Sequence, residues 1–166
     1  NALEAEGRRV KALHVDAIKD QIEKLDALRL AKQADIGVDQ ANVRLAIEVQ
    51  KGILSNARAR GDENSAIWAA KEIKTLEIKM SQLVAQAKKA EAEASRLLAL
   101  AKIEELKSQG PMTAAKEAEI KALLAAVKVK EIEARIAGVT AKSLEELRFA
   151  TDAAANAAGN SVGGYN

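Results

Sequence analysis

The chain has 166 residues, of which 48% are hydrophobic and only 2% aromatic, so its apolar content is Ala, Leu, Ile and Val rather than the bulky anchors of a deep globular core. Its 26 Lys and Arg against 24 Asp and Glu leave a net charge of +2 with both signs interspersed, whereas a nucleic-acid binder concentrates basic charge on one face; sequence-specific nucleic-acid binding is not expected. The absence of cysteine excludes disulfides, thiolate chemistry and cysteine-ligated zinc, and no run of roughly 18 apolar residues offers a membrane-inserting segment.

With one proline and nine glycines, long helices are unobstructed. The expected fold class is all-α: long helices joined by short glycine turns, as helical hairpins or a coiled-coil bundle, over residues 1–158. The first predicted helix covers 2–34, where Val10, Leu13, Val15, Ala17, Ile18, Ile22, Leu25 and Leu28 recur at three- and four-residue steps. A turn at Gly37 is expected to end it, with Asp39 capping the next helix and Val38 stapling onto Val43. The second predicted helix, 40–60, carries Val43, Leu45, Ile47, Val49, Ile53 and Leu54. It is expected to stop at Gly61, with Asp62 or Asn64 accepting hydrogen bonds from the free amides of the helix that follows.

The third predicted helix, 64–109, carries the clearest pattern. Ala66, Ala69, Ile73, Leu76, Met80, Leu83, Ala87, Ala90, Ala94, Leu97 and Ala101 follow an unbroken 3-4 spacing. An ordinary amphipathic helix drifts from a strict 3.5-residue period after two or three heptads, so this seam predicts supercoiled packing against another long helix, of this chain or of another copy. Gly110 and Pro111 end it, and Thr113 is placed to cap a fourth helix, 114–137, with Ile120, Leu123, Leu124, Val127, Ile132 and Ile136. A soft break at Gly138 precedes a fifth helix, 141–158, for which Ser143-Leu144-Glu145-Glu146 has capping-box spacing. The small residues from Gly159 to Asn166 read as a flexible linker. Ala69-Ala70, Ile73-Lys74 and Leu76-Glu77 are echoed by Ala125-Ala126, Val129-Lys130 and Ile132-Glu133, a whole number of heptads further on.

None of the chemistry-bearing residues assembles into a site on paper. Glu104 with Glu105, and Glu145 with Glu146, are neighbours whose side chains point about 100° apart on a helix, which does not converge an acid and a base on one substrate. His14 is the single histidine and lacks partner ligands for a metal. The Gly159–Gly164 run follows a helix and leads to none, unlike a phosphate loop. Arg60-Gly61-Asp62 reads as a turn with a helix cap rather than an adhesion motif, and Trp68 reads as packing against the hairpin turn. No catalytic, cofactor-binding or metal-binding residues are expected, and the mixed charge on both helix faces argues against membrane binding.

The long Ala, Lys, Glu and Gln helices, broken by Gly61-Asp62-Glu63 and Gly110-Pro111-Met112-Thr113 and followed by a tail ending in Val162-Gly163-Gly164-Tyr165, resemble the helical part of a tape measure protein of a long-tailed bacteriophage. The likeness covers nearly the whole chain and is strongest from Ala57 to Ile136, including Ala90-Glu91-Ala92-Glu93-Ala94 and Lys130-Glu131-Ile132-Glu133-Ala134. It rests on composition and turn spacing, with no catalytic motif. The resemblance implies a mechanical role in which extended length sets tail length, tail-tube subunits assemble around the rod with tail-tip proteins as further partners, and the rod leaves when DNA is delivered. It implies residence in the tail lumen of the virion, and in host cytoplasm during assembly. At about 1.5 Å per residue, roughly 150 helical residues laid end to end span on the order of 225 Å. Self-association as a coiled coil is expected, and the chain, which starts at Asn1 without an initiator Met or a signal core, is expected to be a soluble fragment of a longer protein. A force-transmitting stalk or adaptor is the alternative from the residues alone; an artificial bundle fits less well with uneven repeats and Gly52 inside a helix.

Overall fold

The structure is a computed structural model that describes residues 1–163, with side-chain surroundings for 1–157. It consists of three long helices, α1 (Ala2–Arg60), α2 (Glu63–Ser108) and α3 (Ala114–Gly163), with no strand among the described residues. The all-α class is therefore as expected, but three helices stand where five are predicted.

The chain turns where a glycine takes up positive φ beside a helix cap. Gly61 has φ of 70°, its N–H donates to Arg58 O at 3.2 Å, and Asp62 N–H donates to Ala57 O at 2.9 Å. These are the two bonds of a Schellman stop, which satisfies carbonyls the end of α1 would otherwise leave free. Asp62 then caps α2: one carboxylate oxygen accepts Ser65 N–H at 3.1 Å and the other accepts the Ser65 hydroxyl at 2.7 Å. At the second turn Gly110 has φ of 113°, Pro111 follows it, and the Thr113 hydroxyl accepts Lys116 N–H at 3.2 Å to start α3.

Two predicted joints are corrected. Helix α1 passes straight through Gly37, and α3 passes through Gly138. A glycine alone costs a helix about 1 kcal/mol, which neighbouring good helix formers and shielded apolar residues outweigh; it stops one only with a positive φ and a capping partner. Asp39 and Ser143 accordingly lie inside helices and cap nothing, and Val38 is exposed instead of stapled. The predicted linker is corrected in part as well. Residues 159–163 belong to α3, carried past Gly159 by the alanine-rich stretch before it, while Gly164, Tyr165 and Asn166 lie outside the described residues.

The helices group into two compact units. The first joins Asn1–Gly37 to Ala87–Ala134 and buries Ile18, Ala92, Ala99, Ala101, Ile103 and Val127. Its helix segments run antiparallel, since His14 meets Glu104 and Glu91 meets Lys130 while Lys88 meets Glu133. The second joins Val38–Gln86 to α3 from Arg135 on and buries Val43, Ala57, Ala69, Leu83 and Ala141. Six of the eleven buried positions among the described residues are alanines, so close approach of helices replaces large interdigitating side chains.

Candidate functional site

The heptad seam predicted on α2 is occupied within the chain. Ala69, Leu83 and Ala101 are buried, and Ile73, Leu76, Met80, Ala87, Ala90 and Ala94 are half-buried; Leu97 is 42% exposed. In the first unit Ala90, Ala94 and Leu97 share a groove of about 130 Å³ with Leu25, Leu28 and Arg29 of α1, so the partner of that stretch of the seam is α1. The α1 row that answers it is more polar than expected. Val15, Ile18, Ile22, Leu25, Arg29, Gln33 and Ile36 are its shielded positions in the first unit. In the second unit the row is Gln40, Val43, Ile47, Gln50, Leu54 and Ala57. Val10, Leu13, Ala17 and Leu28, expected in the apolar stripe, are exposed, as are Leu45, Val49 and Ile53. Spacing of three and four residues marks a stripe wider than the shielded row, to which only Asp26 and Ala46 add further half-buried positions among the described residues of α1.

A second row on α2, missed from the sequence, faces α3 in the first unit. Lys88 lies 3.8 Å from Glu133, Ala92 lines a groove with Glu131 and Ala134, and Ala92, Ala99 and Ile103 are buried. Lys88 and Ser95 interrupt its apolar pattern, which is why periodicity alone did not reveal it.

The densest polar constellation lies where these rows meet. Glu91 of α2 accepts a hydrogen bond from Lys130 of α3. That bond is the largest cause holding the Glu91 carboxyl below its ordinary range; partial shielding works against it, and the charges of Lys130, Lys88 and Arg29 add to it. Arg29 is itself held by Asp26, whose carboxylate accepts its Nε and Nη2 at 3.0 and 2.8 Å. Each member is paired, and Glu91 and Lys130 remain 29% and 36% exposed, so the cluster fixes how three helices align and offers no unpaired acid or base.

The other candidates scatter. Glu104 lies 3.7 Å from His14, Glu105 accepts from Gln109 at 3.2 Å, and Glu145 accepts from Gln82 at 3.5 Å. In Arg60-Gly61-Asp62 the Asp62 carboxylate is taken up in capping; the Ser65 hydroxyl and then the Ser65 amide draw its pKa down, burial opposes them, and the Arg60 charge adds least. Trp68 corrects the packing expectation, being 74% exposed. Among the described residues no three His, Asp or Glu side chains are grouped to hold a metal ion, and no helix is long and apolar enough to cross a membrane. Comparison with protein-family models, with curated proteins and with solved structures returns no match to this chain.

Proposed function

We propose that this chain is a non-enzymatic helical segment of a tape measure protein of a long-tailed bacteriophage, acting through its length. One observation carries the reading: α1, α2 and α3 run for 59, 46 and 50 residues, with α1 and α3 continuing through internal glycines. Helices of that length exceed the 11 or 12 residues that are usual in globular domains, and they suit a protein whose product is distance. The scatter of Glu104, Glu105 and Glu145 onto separate neighbours supports the non-enzymatic part.

In the ruler the hairpins at Gly61 and Gly110 open, and the α2 seam that α1 covers becomes available to other copies within the tail-tube lumen. A seam of strict heptad spacing suits a long helix of another copy as well as α1, and that motivates this opening. If scattering showed a compact monomer whose dimensions stay fixed when tube protein is added, the opening would be excluded.

The test of the assignment is the full reading frame. A frame of many hundreds of residues flanked by tail-structure genes supports it; a short frame, or one fused to docking domains of a rotary machine, overturns it in favour of a force-transmitting stalk. The charge-laced helix surfaces serve that second reading equally well.

A further inference from the structure

Helix α3 carries two heptad rows. The first is spent inside the protein: within the first unit Lys116, Ile120, Leu123, Val127, Lys130 and Ala134 are its shielded positions. The second consists of Ala115, Ala118, Ala122, Ala125, Val129 and Ile132, an unbroken 3-4-3-4-3 spacing in which every residue is apolar and every residue is exposed. Val129 and Ile132, the largest, are 55% and 50% exposed. The same spacing continues along α3 through Ile136 and Val139, both exposed. At about 100° per residue the two rows lie about 150° apart around the helix, so a partner on the second row leaves the first undisturbed.

The flanking charges say what that partner is. Taking Ala115, Ala122 and Val129 as a positions and Ala118, Ala125 and Ile132 as d positions, the g positions are Lys121 and Lys128, followed by Arg135 and Lys142. All four are exposed, and none makes an ion pair among the described residues. The e positions include Glu119 and Glu133, both exposed; Glu133 also lies 3.8 Å from Lys88. Two antiparallel copies would set the cationic g row against itself. Two parallel copies in register keep the cationic rows apart: Lys128 falls opposite Glu133 of the other copy, and Lys121 and Arg135 fall opposite the uncharged Ala126 and Thr140.

We propose that the exposed a/d row of α3 is a self-association surface, on which a second copy of this chain docks parallel and in register. This names the surface for the self-association in the reading above and rests on that part of it. A chain that pairs this way but comes from no tail gene cluster keeps the pairing and loses the ruler; a monomer from a tail cluster does the reverse.

The chain has no cysteine, so single-cysteine variants report the geometry directly. Ala118→Cys and Ile132→Cys, oxidised separately at micromolar concentration, should each give a disulfide-linked dimer. A parallel in-register pair brings every a and d position next to its own copy, whereas an antiparallel pair has a single point of self-contact and cannot crosslink at both. Sedimentation equilibrium of the unaltered chain should show association that Ile132→Asp weakens about tenfold or more, with unchanged helix content because the side chain is exposed. Leu45→Asp, on an exposed face of α1, should leave association unaltered. A monomeric unaltered chain, crosslinking at only one position or at neither, or equal weakening by Leu45→Asp would each overturn the proposal.

Discussion

Gly37, Gly52 and Gly138 sit inside helices with open space where a Cβ would go, whereas Gly61 and Gly110 have positive φ. Gly→Ala at each of the first three should therefore stabilise the protein, by about 0.5 to 1 kcal/mol, because alanine loses less backbone freedom on becoming helical. Gly61→Ala should destabilise it by about 1 kcal/mol or more, the cost of left-handed backbone for a residue with a side chain. Urea titrations of the four variants check both signs; a loss at Gly37 or Gly138 would show that a joint is needed there. Glu91 sets a pH dependence. Its carboxyl is held below its ordinary range in the folded protein, so its contribution is present above the unfolded value, near pH 4 to 5, and is lost as pH falls through the lowered native one. Lys130→Ala should cost about 0.5 to 1 kcal/mol at neutral pH, modest because both partners are partly exposed, and should flatten the acid limb of the stability profile. Trp68 should emit as a solvated indole and be freely quenched by acrylamide; blue-shifted, protected emission would contradict its 74% exposure.

At the scale of the element, the two true turns were legible because each combines several signals. Gly61 is followed by Asp62, and Gly110 by Pro111 and Thr113. Thr113→Ala should test the second cap, with about 1 kcal/mol lost and the first turn of α3 exchanging its amides faster. Gly37 and Gly138 misled because a lone glycine in a helical pattern signals only a cost, and the energy that outweighs it comes from tertiary packing. The α2 seam was legible in its strict spacing. Its α1 counterpart was hidden by Arg29, Gln33, Gln40 and Gln50, which occupy shielded positions that a hydrophobicity pattern skips. The Glu91 cluster was invisible for a related reason: Asp26, Arg29, Glu91 and Lys130 look like solvated surface until three helix segments bring them together.

At the scale of the whole molecule, the described residues are long helices held side by side by rows rich in alanine and by surface ion pairs. One face of α2 is used by α1 and another by α3 in the first unit, and the outer row of α3 there stays exposed. The ruler reading depends on helical distance rather than on any single side chain. It is therefore most directly tested by changing that distance, through in-frame deletions of whole heptads from α1 or α3 in the full-length gene and measurement of tails by electron microscopy. Tail length should fall by roughly 1.5 Å for each residue removed, in proportion across a series of deletions. Tails that assemble at unchanged length whatever the deletion would contradict it.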